Sequence, residues 1–158
     1  MSKAQQRSAA RLAAAQALYQ MEVGGAGLTD VLAEFESHWI GQEVEGDQYN
    51  PAEVGFFRDI VGGVLKDQVA IDRAVDEALA EGWPLKRVEA LMRAILRAAF
   101  YEIRSRADVP ARVAIKEYVD VAGAFYGAEE SGMINAVLDT LARQTRPKEF
   151  APSRLTFR

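Results

Sequence analysis

The feature that most constrains this chain is a stretch at residues 88–103 that is apolar around most of its circumference when drawn as a helix. It reads VEALMRAILRAAFYEI, and its apolar residues recur at the i, i+3, i+4, i+7 spacing of a helix over four turns. The apolar surface is interrupted by Glu89, Arg93, Arg97 and Tyr101. A helix this apolar has to be covered by other helices. The stretch therefore predicts a buried central helix in a helical domain.

The rest of the chain supplies further helical segments. Apolar residues at helical spacing predict helices at about 8–22, 29–39, 51–64, 71–79, 88–103, 111–125 and from 131 onward. No stretch alternates apolar and polar residues for long enough to predict a strand. The sequence therefore predicts an all-α fold of about seven helices.

Two local signals refine the third predicted helix. The run Asn50-Pro51-Ala52-Glu53 has an N-cap residue, a proline at the first helical position and the acid of a capping box, so the helix should begin there. The pair Gly62-Gly63 lies inside the same helix, where glycine is unfavourable. A close helix crossing at these glycines is the simplest explanation.

Composition narrows the class of protein. With 158 residues, 49% hydrophobic and 27% charged, the chain has the size and composition of one soluble domain. No run of 18 apolar residues exists, so no membrane span or membrane partner is expected. We see no signal peptide. The absence of cysteine excludes disulfides, thiolate catalysis and zinc–sulfur sites, and it fits a cytoplasmic protein.

The sequence offers no side-chain set typical of catalysis. The only histidine, His38, has no serine or paired acid at a spacing typical of a catalytic site. Glu129 and Glu130 are adjacent acids just before a predicted helix. Carboxylates at this position are stabilised by the helix dipole, so they need no catalytic role. A metal site would need several converging ligands. We therefore predict a binding protein rather than an enzyme, with no cofactor and no metal.

The net charge of −4 is distributed unevenly. Lys3, Arg7 and Arg11 are spaced i, i+4, i+8, so they share one face of the first helix if it reaches back that far, and its basic turns should project past the body. Such a face can bind phosphate, although a merely solvated face is the alternative. From residue 144 the chain is polar, basic and punctuated by proline. We therefore predict a domain over 1–143 and a disordered tail over 144–158.

Seven short motifs occur in order over residues 7–143. They are Arg11 with Gln16-Ala17-Leu18-Tyr19; Phe57-Arg58-Asp59; Trp83, Leu85 and Arg87; Arg93-Ala94-Ile95-Leu96-Arg97 with Tyr101-Glu102; Asp108-Val109-Pro110; Ala114-Ile115 with Glu117; and Phe125, Gly127, Glu129, Ser131, Asn135, Val137, Leu138 and Asp139. Each motif alone is weak, but in this order and spacing they resemble the NusB family of transcription antitermination factors.

The resemblance implies a fold and a function. The fold would have seven helices in two packed subdomains around the buried central helix. The protein would bind the single-stranded boxA element of RNA together with NusE, a ribosomal protein of the small subunit. In the antitermination complex it would help RNA polymerase read through ribosomal RNA operons.

The resemblance also implies site residues. Arg7 and Arg11, supported by Lys3, would contact phosphates, and Tyr19 beside Gln16 would offer a ring or hydroxyl to the nucleotides. The remaining implied positions are Met133, where the family often has an RNA-facing aromatic residue; Met92, where it commonly has an acid that faces the protein partner; and Glu89, Arg93 and Glu130, which would complete the partner surface.

The sequence leaves three alternatives open for the function and assembly of the chain. Because Ser8 and Ala9 stand in a run that is often arginine-rich in the family, the chain could instead be a protein-only helical module that binds NusE with weak or lost RNA binding. A NusB-like domain also precedes certain ribosomal RNA methyltransferases, a remote alternative here because no methyl-donor fold follows. Finally, the sequence does not decide whether a homodimer covers the RNA face.

Overall fold

The structure, a computed structural model, describes residues 2–25, 27–40, 51–79 and 88–151. In these residues the chain forms eight helices and no strand: α1 (Lys3–Gly24), α2 (Leu28–Ile40), α3 (Pro51–Lys66), α4 (Gln68–Ala78), α5 (Ala90–Ser105), α6 (Ala111–Gly123), α7 (Ala128–Thr145) and α8 (Pro147–Phe150). The predicted all-α fold is confirmed. The single turn of α8 is added to the seven predicted helices, and α3 begins at the predicted Pro51.

The predicted central helix is α5. Every residue from Ala94 to Ile103 is buried, because α5 packs against α1, α3, α4, α6 and α7. On one side α1 packs against α2 and α3, and on the other α6 packs against α7. Two helical groups therefore meet across α5. No helix among the described residues is long and apolar enough to cross a membrane.

Helix α1 begins earlier than predicted. Ser2 is its N-cap, and the Ser2 side chain and Gln5 form a reciprocal capping box that fixes the first turn. The buried face is built from small residues, which are Ala10, Ala13, Ala14, Ala15 and Ala17. Side chains this small let α3 and α5 lie close to α1. The position of α1 against the central helix is therefore set by its alanines.

Of the paired glycines, only Gly63 lacks room for a side chain, because a tyrosine of α5 fills the space beside it. A Cβ added to Gly63 would lie 2.2 Å from the Cε1 atom of Tyr101, whereas a Cβ added to Gly62 would meet nothing within 4 Å. The ring of Tyr101 occupies the space at Gly63, and its hydroxyl donates a hydrogen bond to Asp59 Oδ1 at 2.7 Å. Burial, together with the Asp59 carboxylate, raises the pKa of Tyr101 to about 12.

The prediction of a disordered tail from residue 144 is wrong for residues 144–151. Helix α7 continues to Thr145, and the Arg146 guanidinium then donates to the backbone carbonyls of Ile103 at 2.7 Å and Arg106 at 2.6 Å. It also donates to the carbonyl of Val109. These carbonyls end α5 and form the loop after it, where a cation also complements the helix dipole. Residues 152–158 lie outside the described residues.

The same C-terminal segment also contacts the start of α6. Glu149 Oε1 accepts a hydrogen bond from the Ala111 amide at 2.8 Å, and the Phe150 ring has the guanidiniums of Arg112 and Arg143 at 4.7 and 4.8 Å from its centroid. The hydrogen bond from the Ala111 amide, together with the hydrogen bond and charge of Arg146, holds the pKa of Glu149 below its usual range. We call residues 146–150 the C-terminal clasp, because they hold both ends of the α5–α6 loop.

Candidate nucleic-acid interface

The N-terminal turns of α1 form one wall of an open cleft. The cleft has a volume of about 330 Å³ and is lined by Lys3, Ala4, Arg7, Arg11, Asp108, Val109, Pro110, Val113 and Glu117. We call it the α1 cleft. Its opposite wall is the α5–α6 loop and the first turns of α6, which the C-terminal clasp holds in place. Two of the predicted phosphate-binding residues, Lys3 and Arg7, therefore lie together at one opening.

Arg7 is held in the α1 cleft by two contacts. Its Nη2 atom lies 3.2 Å from Asp108 Oδ2, and its guanidinium carbon lies 4.5 Å from the centre of the buried Phe56 ring. The Arg7 side chain keeps 23% of its surface exposed, and Lys3 is exposed. Both cations can therefore be reached by a ligand in the cleft.

The prediction that Arg11 contacts phosphate has to be corrected. Its side chain is only 4% exposed, and its Nη2 donates to Glu102 Oε2 at 2.6 Å while its Nη1 donates to Glu117 Oε1 at 2.7 Å. Its Nε also donates to both oxygens of Glu102. Although burial alone would lower the pKa of Arg11, the bonds and charge of Glu102 outweigh it and raise the pKa. Arg11 thus docks α1 onto α5 and α6.

The partner of Arg11, Glu102, is a buried structural acid for which the sequence indicated no role beyond its place in a motif. Glu102 is completely buried on α5 and also accepts a hydrogen bond from the Tyr118 hydroxyl at 3.0 Å. Burial and the Glu102 charge raise the pKa of Tyr118 well above its usual value. A signal was present in the sequence, because Glu102 follows Ile95 and Ala99 at helical spacing on the apolar stripe. An acid at such a position requires a buried cation.

Gln16 and Tyr19 lie at a second opening on α1. Together with Gln20, Val23 and Gly24 they line a groove of about 500 Å³, and Tyr19 is 37% exposed. Gln16 follows Arg7 by nine positions, which places the two residues about 13.5 Å apart along α1 and about 180° apart around it. The structure therefore brings Lys3 and Arg7 together, and Gln16 and Tyr19 together, but on different sides of the helix.

Met133 and Glu130 lie on a third element, the first two turns of α7. Met133 is half-buried and packs against the core, and it lines neither opening on α1. Glu130 is half-buried, close to the backbone of Gly127. On the described contacts, Met133 belongs to the core edge rather than to the α1 openings.

The predicted partner surface at the start of α5 is narrower than expected. Met92 is 5% exposed, so the prediction that its side chain forms the rim of this surface has to be corrected. Arg93 donates to Glu22 at 2.7 Å and to the carbonyl of Val88, and this joins α5 to the end of α1. Glu89 is exposed. Burial of Tyr126, together with the Glu89 carboxylate, raises the pKa of Tyr126. Glu89 is therefore the most accessible of the predicted partner residues on α5.

Comparison with known proteins identifies the family. The NusB family model matches residues 8–143. The chain is 64% identical over 149 residues to the transcription antitermination protein NusB of Nitrobacter hamburgensis, which covers 94% of this chain and 93% of that relative. It is 63% identical over 148 residues to the protein of the same name from Bradyrhizobium diazoefficiens, covering 94% of this chain and 90% of that relative.

A solved structure agrees with the sequence comparison. T. maritima NusB is 27% identical and superposes with a TM-score of 0.76 over 91% of this chain and 96% of that chain. The fold is therefore that of a small helical transcription factor. The chain belongs to the NusB family of transcription antitermination factors.

Proposed function

We propose that this chain binds single-stranded boxA-type RNA together with the ribosomal protein NusE, and that the complex supports read-through of ribosomal RNA operons by RNA polymerase. The observation that carries the proposal is the arrangement on α1. Accessible cations, Lys3 and Arg7, lie near its N-terminus, and an accessible aromatic ring, Tyr19, lies near its other end. Single-stranded RNA is held by positive charge and by stacking of bases on aromatic rings.

The distance between these groups sets a requirement on the RNA. Arg7 and Tyr19 are twelve residues apart, which is about 18 Å along the helix axis. One nucleotide is too short to reach both groups, so the ligand must be an extended strand that passes around the helix. Gln16 lies beside Tyr19 and can bond to base edges or the ribose.

The proposed NusE surface is formed by Glu89 at the start of α5, Glu130 on α7 and Arg93. The Arg93 side chain is 17% exposed because Glu22 already binds it, so Arg93 contributes less to binding than an exposed cation would. Met92 supports this surface from beneath. The partner contact is therefore carried mainly by the two carboxylates.

The test measures binding of a fluorescently labelled single-stranded boxA RNA by anisotropy, with and without NusE, across a series of salt concentrations. Lys3→Gln with Arg7→Gln should lower the affinity and reduce the slope of log K against log salt by about 0.7 for each phosphate that is no longer neutralised. The matched control is Lys66→Gln with Arg73→Gln, which removes two exposed cations on α3 and α4. An equal loss of affinity in the control, or no loss in the double variant, would contradict the proposed site.

The ring of Tyr19 is tested separately. Tyr19→Ala should weaken RNA binding by about 1–3 kcal/mol if a base stacks on the ring. Tyr19→Phe keeps the ring and should retain most of the affinity. Equal losses of affinity for the two variants would instead indicate that the hydroxyl makes the contact.

A second candidate, a protein-only module that binds NusE, is favoured by one observation. The side of α1 opposite Arg7 carries Gln5, the half-buried Ala9 and Leu12, and Gln16, and none of these described residues is a cation. Arg7 and Arg11, on the opposite side, are already bonded to carboxylates. Capture of NusE in the absence of RNA, with no binding of the RNA at low salt, would support this candidate against the first.

A further inference from the structure

We infer that Asp108 competes with RNA phosphate for the guanidinium of Arg7 and thereby limits the RNA affinity of the α1 cleft. The inference rests on the proposed function and deepens it. Asp108 lines the same cleft as Lys3 and Arg7, and its carboxylate lies 3.2 Å from Arg7 Nη2. Its side chain is 52% exposed, so an RNA phosphate entering the cleft would meet this carboxylate directly.

Asp108 is not needed to hold Arg7 in position. The Arg7 guanidinium rests on the face of Phe56, a buried ring on α3, at 4.5 Å. Stacking of an arginine on an aromatic ring is an attraction of its own. Without the Asp108 charge, Arg7 therefore stays against Phe56 and turns its free donors toward the cleft.

The second cation beside Asp108 keeps another partner. Arg106 donates to Asp108 at 3.1 Å and to Asp59 at 3.2 Å, and its guanidinium also lies 4.9 Å from the Phe56 ring. Removing the Asp108 charge leaves Arg106 bound to Asp59. The fold around the loop is therefore retained, while the cleft becomes more positive by one unit.

The competition takes place at neutral pH because Asp108 is ionised there. Partial burial raises the pKa of Asp108, but the charges and hydrogen bonds of Arg106 and Arg7 outweigh it and hold the pKa below the usual carboxyl value. An ion pair this exposed is weak in water, since solvent screens both charges. An RNA phosphate that is also attracted by Lys3 can therefore displace the carboxylate from Arg7.

The experiment compares Asp108→Asn with Asp120→Asn in the RNA-binding assay described above. Asp120 is an exposed acid on α6, paired with Lys116 at 2.9 Å. Asp120→Asn removes one negative charge, as Asp108→Asn does, but at a position that does not line the cleft. Asp108→Asn should tighten RNA binding by about two- to fivefold, the range expected for an exposed ion pair, and Asp120→Asn should have a smaller effect. The salt slope should steepen for Asp108→Asn only.

A double-mutant cycle identifies the mechanism. In the Arg7→Gln background, Asp108→Asn should change RNA affinity no more than Asp120→Asn does, because the cation for which it competes is gone. Unchanged or weaker RNA binding by Asp108→Asn would overturn the inference, since weakening is what a carboxylate that orients Arg7 would produce. Asp108→Ser, with circular dichroism of both variants, excludes a folding defect as the cause.

The failure of this inference can be told apart from failure of the proposed function. Loss of affinity in the Lys3 and Arg7 variants with no effect of Asp108→Asn would contradict only the competition. Unchanged RNA binding in all of these variants would contradict the proposed site itself.

Discussion

Two ion pairs are formed by arginines on the same face of α1, one turn apart, and the pairs differ in solvent exposure and in surroundings. Arg11 and Glu102 are 4% and 0% exposed, whereas Arg7 and Asp108 are 23% and 52% exposed. The first pair is surrounded by core side chains and shares Glu102 with a buried tyrosine hydroxyl. The second pair borders an open cleft. Solvent access therefore distinguishes a structural arginine from one that can exchange its partner for a ligand.

The comparison shows that helical spacing alone does not identify a binding surface. Arg7 and Arg11 share a face of α1, and the same face continues into Ala14 and Leu18, which are buried. The transition from surface to core falls between the two arginines. Only Arg7, on the outer side of that transition, retains donors for a phosphate.

The largest effect is expected from breaking the buried pair. Arg11→Ala leaves the Glu102 carboxylate in the core without its cation, and this should lower the free energy of unfolding by about 3–5 kcal/mol. Urea denaturation followed by circular dichroism measures the change. Replacing both partners, Arg11→Met with Glu102→Leu, should recover much of it. A decrease below about 1 kcal/mol for Arg11→Ala would be hard to reconcile with a buried Glu102.

A smaller effect is expected from the hydroxyl that shares the buried carboxylate. Tyr118→Phe removes one hydrogen bond to Glu102 but leaves Arg11 in place, so the free energy of unfolding should fall by about 1.5–3 kcal/mol. Tyr19→Phe, at an exposed tyrosine, serves as the control in the same denaturation experiment. Equal changes in the two variants would indicate that the Tyr118 hydroxyl contributes nothing specific.

The wall behind the exposed pair depends on the C-terminal clasp. Arg146→Ala leaves backbone carbonyls at the end of α5 without their donor, and the free energy of unfolding should fall by about 1–3 kcal/mol. Hydrogen exchange should quicken first at the amides of Val109 and Ala111, next to Asp108. Arg73→Ala removes an exposed arginine on α4, outside the clasp, and should leave these amides unchanged.

The smallest effect on stability is expected from the exposed pair itself. Asp108→Asn should change the free energy of unfolding by less than about 1 kcal/mol at neutral pH. Because the folded-state pKa of Asp108 is lowered, its contribution is present above the ordinary carboxyl pKa and is lost as pH falls through the folded-state value. Melting curves between pH 6 and pH 2 should therefore lose slightly less stability on acidification in the variant. An identical pH dependence would contradict the lowered pKa.

The sequence predicted the helices better than the site for a physical reason. The apolar periodicity of α5 is a local property, and it correctly indicates a buried central helix. Arg11 has its partner on another helix, and no local pattern names Glu102 as that partner. The burial of Met92 follows from its place on the apolar stripe, although the family resemblance drew attention to it as a partner contact.

The two ends of the chain show the same limit. The early start of α1 could have been recognised from the Ser2–Gln5 capping box, which is a local sequence signal. The C-terminal clasp could not, because Arg146 binds backbone carbonyls, and carbonyls carry no side-chain signature. A basic segment that contains proline has the composition of a disordered tail whether or not such acceptors lie nearby.

The separation of Arg11 from Glu102 has a consequence for how the chain is made. The two residues are 91 positions apart. At a synthesis rate of about 5–20 residues per second, Glu102 is added about 5–18 s after Arg11. During that interval Arg11 lacks its buried partner, although α2 and α3, against which α1 also packs, are already made. The contact of α1 with the central helix is therefore completed only after α5 has been synthesised.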